Sequence, residues 1–175
     1  MSVSYVLQGK FQEAIQGTEI VTKMKPGHAQ AWATMAIAVR SLGDLPRALE
    51  LNNKAISIDK KNLSAWTNRV DIYCDQGEFE KGIEAAKEAL KLFPNDGGLH
   101  SNIARMYSRT GKHKEAVFHF RKVSQLSPDK GGLLANYLGH LREFRIDDMQ
   151  DNLTEKCYKL FENSISEQRM YPMAW

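Results

Sequence analysis

Glycine recurs every 34 residues along this chain, at Gly9, Gly43, Gly77 and Gly111. Self-similarity at a fixed period of this length means that one small supersecondary unit is being stacked on copies of itself. Other marks keep the same spacing. Ala14, Ala48, Gly82 and Ala116 follow the glycines, then Val21, Ala55, Ala89 and Val123, then Pro26, Lys60, Pro94 and Pro128. Ahead of the later glycines stand Trp32, Trp66 and His100, then Ala36, Val70 and Ala104; Tyr5, Val39, Tyr73 and Tyr107 complete the series.

Each mark has a physical reading. A glycine that must take a left-handed backbone ends the first helix of a unit. Small residues in both helices let the backbones approach, and larger apolar residues fill the space between them. The proline terminates the second helix. Between the marks the segments show helical spacing, as in Ala48, Leu51, Asn52, Ala55, Ile56 and Ile58. The pattern predicts helices over 11–24, 29–42, 45–58, 63–76, 79–92, 97–110 and 113–126, and no strand.

The period, the identity of the marks and their order resemble the tetratricopeptide repeat family. Three whole units fit, 29–62, 63–96 and 97–130, preceded by a partial unit over 1–28. The departures are Asn52 in place of a bulky apolar residue, Gly82 for alanine, His100 for tryptophan and Lys60 for proline. A further first helix is expected from Gly132 to Phe144, with Leu134, Leu138 and Leu141 on its core face. The register then fails at Arg145, and Leu153, Cys157, Leu160 and Phe161 suggest one more helix over 149–163. Residues 131–175 thus read as a divergent unit and capping helix, which a solenoid needs to close its end. The expected architecture is all-α, a single right-handed α-solenoid over 1–175. The incomplete first unit and the apolar stretch Met170-Tyr171-Pro172-Met173-Ala174-Trp175 are expected of an excerpt from a longer repeat protein, or of ends that pack on a neighbour.

Charge and motifs exclude several classes of function. Lys and Arg number 24 against 21 Asp and Glu, a net charge of +3, too balanced for a nucleic-acid or membrane surface. No apolar run reaches membrane-spanning length, and the first ten residues lack the pattern of a signal peptide. The two cysteines, Cys74 and Cys157, form no CxxC or zinc spacing, so a reducing, cytoplasmic compartment is expected. Walker A, dinucleotide-binding, nucleophile-elbow and HExxH patterns are all missing. Gly97-Gly98 and Gly131-Gly132 lie at joints between units, where a turn needs them. His113 and His119, six apart on one helix, are badly placed to share a metal. Trp32, Trp66, Tyr73 and Tyr107 occupy packing positions of the repeat rather than a ligand cage. No enzyme activity, cofactor or metal is expected.

In the family, first helices of successive units line a concave groove, and the resemblance implies the same here. Thr34, Asn68, Asn102 and Asn136 lie 34 apart at one register position. Ile37, Asp71, Arg105 and Gly139 follow three residues on, and Ser41, Asp75, Arg109 and Glu143 seven residues on, which keeps each set on one helical stripe. The asparagine series resembles the ladder lining the repeats of O-linked N-acetylglucosamine transferases, where it grips the backbone of extended substrates. The alternative is a polar place-holder facing solvent. The carboxylate clamp of chaperone-tail-binding members is not matched. Its positions hold Ala33, Ile37, Asn68, Gly98 and Asn102, or Thr67, Asp71, Asn102, Gly132 and Asn136 one unit later.

The expected function is therefore a scaffold that binds a protein or extended peptide through Thr34, Asn68, Asp71, Asp75, Asn102, Arg105, Arg109, Asn136 and Arg142. Asp71 and Asp75 are expected to pair with Arg105 and Arg109 of the next unit. Replacing the three asparagines by alanine is expected to spare the fold and weaken binding. Two other readings stand beside it: the non-catalytic repeat region of a larger glycosyltransferase, methyltransferase or sulfotransferase, and self-association through the solenoid ends.

Overall fold

The computed structural model describes residues 9–126 continuously, together with Val6 and Gly139. Among them are seven helices and no strand: α1 Phe11–Met24, α2 Ala29–Ser41, α3 Leu45–Ile58, α4 Leu63–Asp75, α5 Phe79–Leu92, α6 Gly97–Arg109 and α7 His113–Leu126. The second helices, α1, α3, α5 and α7, begin and end where the periodicity places them. The first helices, α2, α4 and α6, each stop one residue early, because Leu42, Gln76 and Thr110 serve as caps. The helices expected over 132–144 and 149–163 lie outside the described residues, as do the turn at Gly131-Gly132 and the final apolar stretch.

One capping device ends every first helix. At the close of α2 the Gly43 N–H donates to the Arg40 carbonyl (2.9 Å) and the Asp44 N–H to the Val39 carbonyl (3.3 Å). This is the paired bond of a Schellman turn, and it requires a left-handed residue after the cap. Gly43 supplies it with φ of 89°. The same pair of bonds recurs at Gly77 with Glu78, and at Gly111 with Lys112. The 34-residue glycine period is thus the period of a backbone conformation that side chains disfavour.

Helix starts are capped as well. Asp44 accepts from the Arg47 N–H, Asn62 from the Ala65 N–H and Asp96 from the Leu99 N–H, so each oxygen satisfies one donor that the first turn leaves orphaned. His28 does the same through its ring, accepting from the Ala31 N–H at 3.2 Å.

The chain divides into two compact units, Met1–Pro94 and Asn95–Trp175. In the first, α1 to α4 pack each on the next, α2 also packs on α4, and α4 packs on α5. Its core joins Ala14, Ile15, Met35, Ala38, Val39, Ala48 and Ile72, with a second cluster of Ala33, Ala55 and Ala65. In the second unit α6 packs on α7. The small residues of the repeat, Ala14, Ala36, Ala48, Ala55, Ala89, Ala104 and Ala116, are completely buried. The tryptophans are structural: the Trp32 indole N–H donates to the Pro26 carbonyl and that of Trp66 to the Lys60 carbonyl, each at 2.8 Å. Where the repeat substitutes His100, its Nδ1 lies 2.9 Å from Nδ1 of His119 on α7. The histidine that replaces tryptophan therefore has a partner on the adjacent helix.

Candidate peptide-binding face

The direct packing of α2 on α4 brings first helices of successive repeats side by side, so residues 28 to 35 apart in sequence become neighbours. Arg40, near the end of α2, reaches onto α4. Its Nη1 donates to Asn68 Oδ1 at 3.1 Å and lies 3.0 Å from Asp71 Oδ2, while its Nε lies 3.5 Å from Asp75 Oδ2. Two carboxylates and an amide oxygen on three successive turns of α4 thus surround one guanidinium from α2. Arg40 is half-buried and Asp75 is exposed.

Asn68 is 3% exposed. While its oxygen receives Arg40, its Nδ2 donates to Asn52 Oδ1 at 3.2 Å. Asn52 on α3 is 0% exposed and passes its own Nδ2 to the Ala65 carbonyl at 2.7 Å. A chain of polar contacts therefore runs from the face inward, Arg40 to Asn68 to Asn52 to the α4 backbone. The departure from the repeat at position 52 is the inner half of this chain. An apolar residue there would leave the Asn68 amide without its buried acceptor, at a cost of about 1–3 kcal/mol.

This geometry revises part of the ladder expectation. Thr34 is 3% exposed, and its hydroxyl donates to the Gln30 carbonyl one turn back at 2.9 Å, a local bond always open to a helical threonine. Asn68 is engaged by Arg40 and Asn52, so replacing it by alanine should cost stability as well as any contact to a partner. Both side chains are buried rather than presented at the surface. Asp71 and Asp75 stand beside Arg40 of the preceding repeat. The pairing expected with Arg105 and Arg109 of the next repeat stays an expectation, since those arginines belong to the other compact unit.

In the second unit α6 carries Asn102, Arg105 and Arg109. Arg105 and Arg109 are exposed and Asn102 is half-buried. Arg105 Nη2 donates to Asn102 Oδ1 at 2.7 Å, an i, i+3 contact along one stripe. Asn136 and Arg142 lie outside the described residues.

Arg40 escaped the register comparison because its counterparts 34 and 68 residues on are Cys74 and Ser108. Nothing repeats at that position. The available signal was a basic residue next to last in one first helix, with carboxylates four apart in the next.

Among the described residues no group of three or more metal-binding side chains converges, and no helix is long and apolar enough to cross a membrane.

The tetratricopeptide repeat family model matches residues 2–62 and 67–130. Comparison with curated protein sequences returns no match. Among solved structures, the chain is similar to the pilF protein of Pseudomonas aeruginosa, with a TM-score of 0.79 and 20% identity over 93% of this chain and 72% of that one. It is also similar to MamA, at 0.70 and 16% identity over 97% and 95%. MamA from Desulfovibrio magneticus RS-1 gives 0.70 and 13% identity over 98% and 93%. At these identities the likeness is one of fold.

Proposed function

The chain belongs to the tetratricopeptide repeat family, and from that premise we propose that it is a non-catalytic binding scaffold whose first helices receive an extended segment of a partner protein. The observation that carries this reading is the α2–α4 face. There, charged side chains from two successive repeats are brought together at the surface, while the apolar residues of the same helices point into the core. Packed helices are roughly 8–10 Å apart and an extended chain advances about 3.3 Å per residue. Each repeat therefore meets the ligand about every third residue. On this reading Arg40, Asp71, Asp75, Asn102, Arg105 and Arg109 contact the partner, with Asn136 and Arg142 extending the series by register. Thr34 and Asn68 act from behind the face. The chain does no chemistry, whether it works alone or beside a catalytic domain.

Site-specific photo-crosslinking tests the reading. A crosslinker in place of Ser41, exposed at the end of α2, should trap the partner; one in place of Lys54, exposed on α3, should not. Trapping from Lys54 alone would move the binding surface to the second helices.

A further inference from the structure

Arginine carries five N–H donors in a fixed fork. In Arg40 three are spent: the two on Nη1 face Asp71 and Asn68, and the one on Nε faces Asp75. None of these three contacts uses Nη2. These contacts tie the guanidinium to α4 through Nη1 and Nε. Beside it, the exposed Asp75 carboxylate meets Arg40 through Oδ2.

We propose that Arg40 and Asp75 form one rung of the binding face, with Arg40 Nη2 donating to a backbone carbonyl of the extended partner and Asp75 accepting from an adjacent N–H or ammonium. The proposal rests on the scaffold reading above and names the partner's chemistry: an extended segment that is basic, with lysine or arginine, at this rung. A peptide backbone offers carbonyl and N–H groups in alternation, and the rung presents a donor on α2 next to an acceptor on α4. Charge selects further. One cation stands among two carboxylates, so Arg40 is already neutralised. A partner carboxylate gains nothing from it and meets Asp75 as a like charge. A lysine ammonium is attracted. The role first given to Asn68, a polar group that grips the backbone whatever the side chains, thus passes to the arginine that Asn68 supports.

The test uses the full chain, uniformly labelled with nitrogen-15, and three fluorescent twelve-residue peptides of alternating Ser–Lys, Ser–Gln and Ser–Glu. The net charge of +3 favours the Ser–Glu peptide in any non-specific encounter, so a preference for Ser–Lys reports a local site. At low ionic strength Ser–Lys should bind at least about fivefold more tightly than Ser–Glu, with the difference shrinking as salt screens the exposed charges. It should shift the Arg40 side-chain resonance and the amides of α2 and α4. Asp75→Asn should cut the Ser–Lys advantage by at least about half while leaving the melting temperature in place. Arg40→Lys, which keeps the charge but loses the planar fork, should weaken all three peptides. If α2 and α4 respond but Ser–Glu binds as tightly as Ser–Lys, the charge selection is overturned and the binding face stands. Shifts confined to α3 and α5 would overturn both. Failure of Ser–Lys to bind at millimolar concentration, or indifference to Asp75→Asn, would also overturn the rung.

Discussion

Asn68 and Asn52 are hydrogen-bonded side chain to side chain at 3.2 Å, both essentially without solvent contact, where α3 meets α4. A buried polar pair of this kind is held in place by mutual need. Removing one partner strands the other in a medium with no water to replace it, whereas removing both is milder. Asn52→Ala and Asn68→Ala should each destabilise the protein by about 1–3 kcal/mol. The double variant should cost less than the sum by at least about 0.5 kcal/mol. Urea unfolding of the four proteins in the cycle measures this; additive losses would mean that the contact carries no coupling.

Asn102 provides the cleaner test of an asparagine contact to the partner, because it is half-buried rather than enclosed. Asn102→Ala should change unfolding free energy by less than about 1 kcal/mol. It should reduce affinity for a partner trapped at Ser41 by about 0.5–1.5 kcal/mol. Fluorescence anisotropy with that partner gives the answer, and an unchanged affinity would remove Asn102 from the binding face.

Overpacking tests the alanine positions. Ala48 and Ala116 are completely buried, and Ala48 lies in the cluster with Ile15, Val39 and Ile72. Leucine at either site forces helices apart or side chains off their preferred rotamers, at about 1–3 kcal/mol. Ala48→Leu and Ala116→Leu should each lower the melting temperature, followed by circular dichroism at 222 nm.

Gly77 separates backbone strain from crowding. Its φ is 74°, and a β-carbon added there meets nothing within 4 Å. Any loss on Gly77→Ala therefore comes from the left-handed conformation itself, about 1–2 kcal/mol. Asparagine tolerates that conformation better, so Gly77→Asn should recover part of the loss. Equal melting temperatures for the two variants would show that the turn relaxes out of the left-handed region.

The sequence alone determined the repeat, the class of fold and the ends of the seven helices to within a residue. It could do so because those features depend on local events: a left-handed glycine after the cap, an oxygen at the start, and small and large residues at a fixed period. The structural role of Trp32 and Trp66 was legible for the same reason, since each indole bonds to a carbonyl six residues away. The tertiary structure alone decided how the α2–α4 face is wired. Asn52, a mismatch when compared with its own repeat position, is the buried support of Asn68. Arg40, which repeats nowhere, is the cation that Asp71 and Asp75 surround. A periodic comparison aligns like positions of successive units, whereas a packed side chain meets unlike positions on whichever helix lies against it, and that pairing exists only once α2, α3 and α4 have come together.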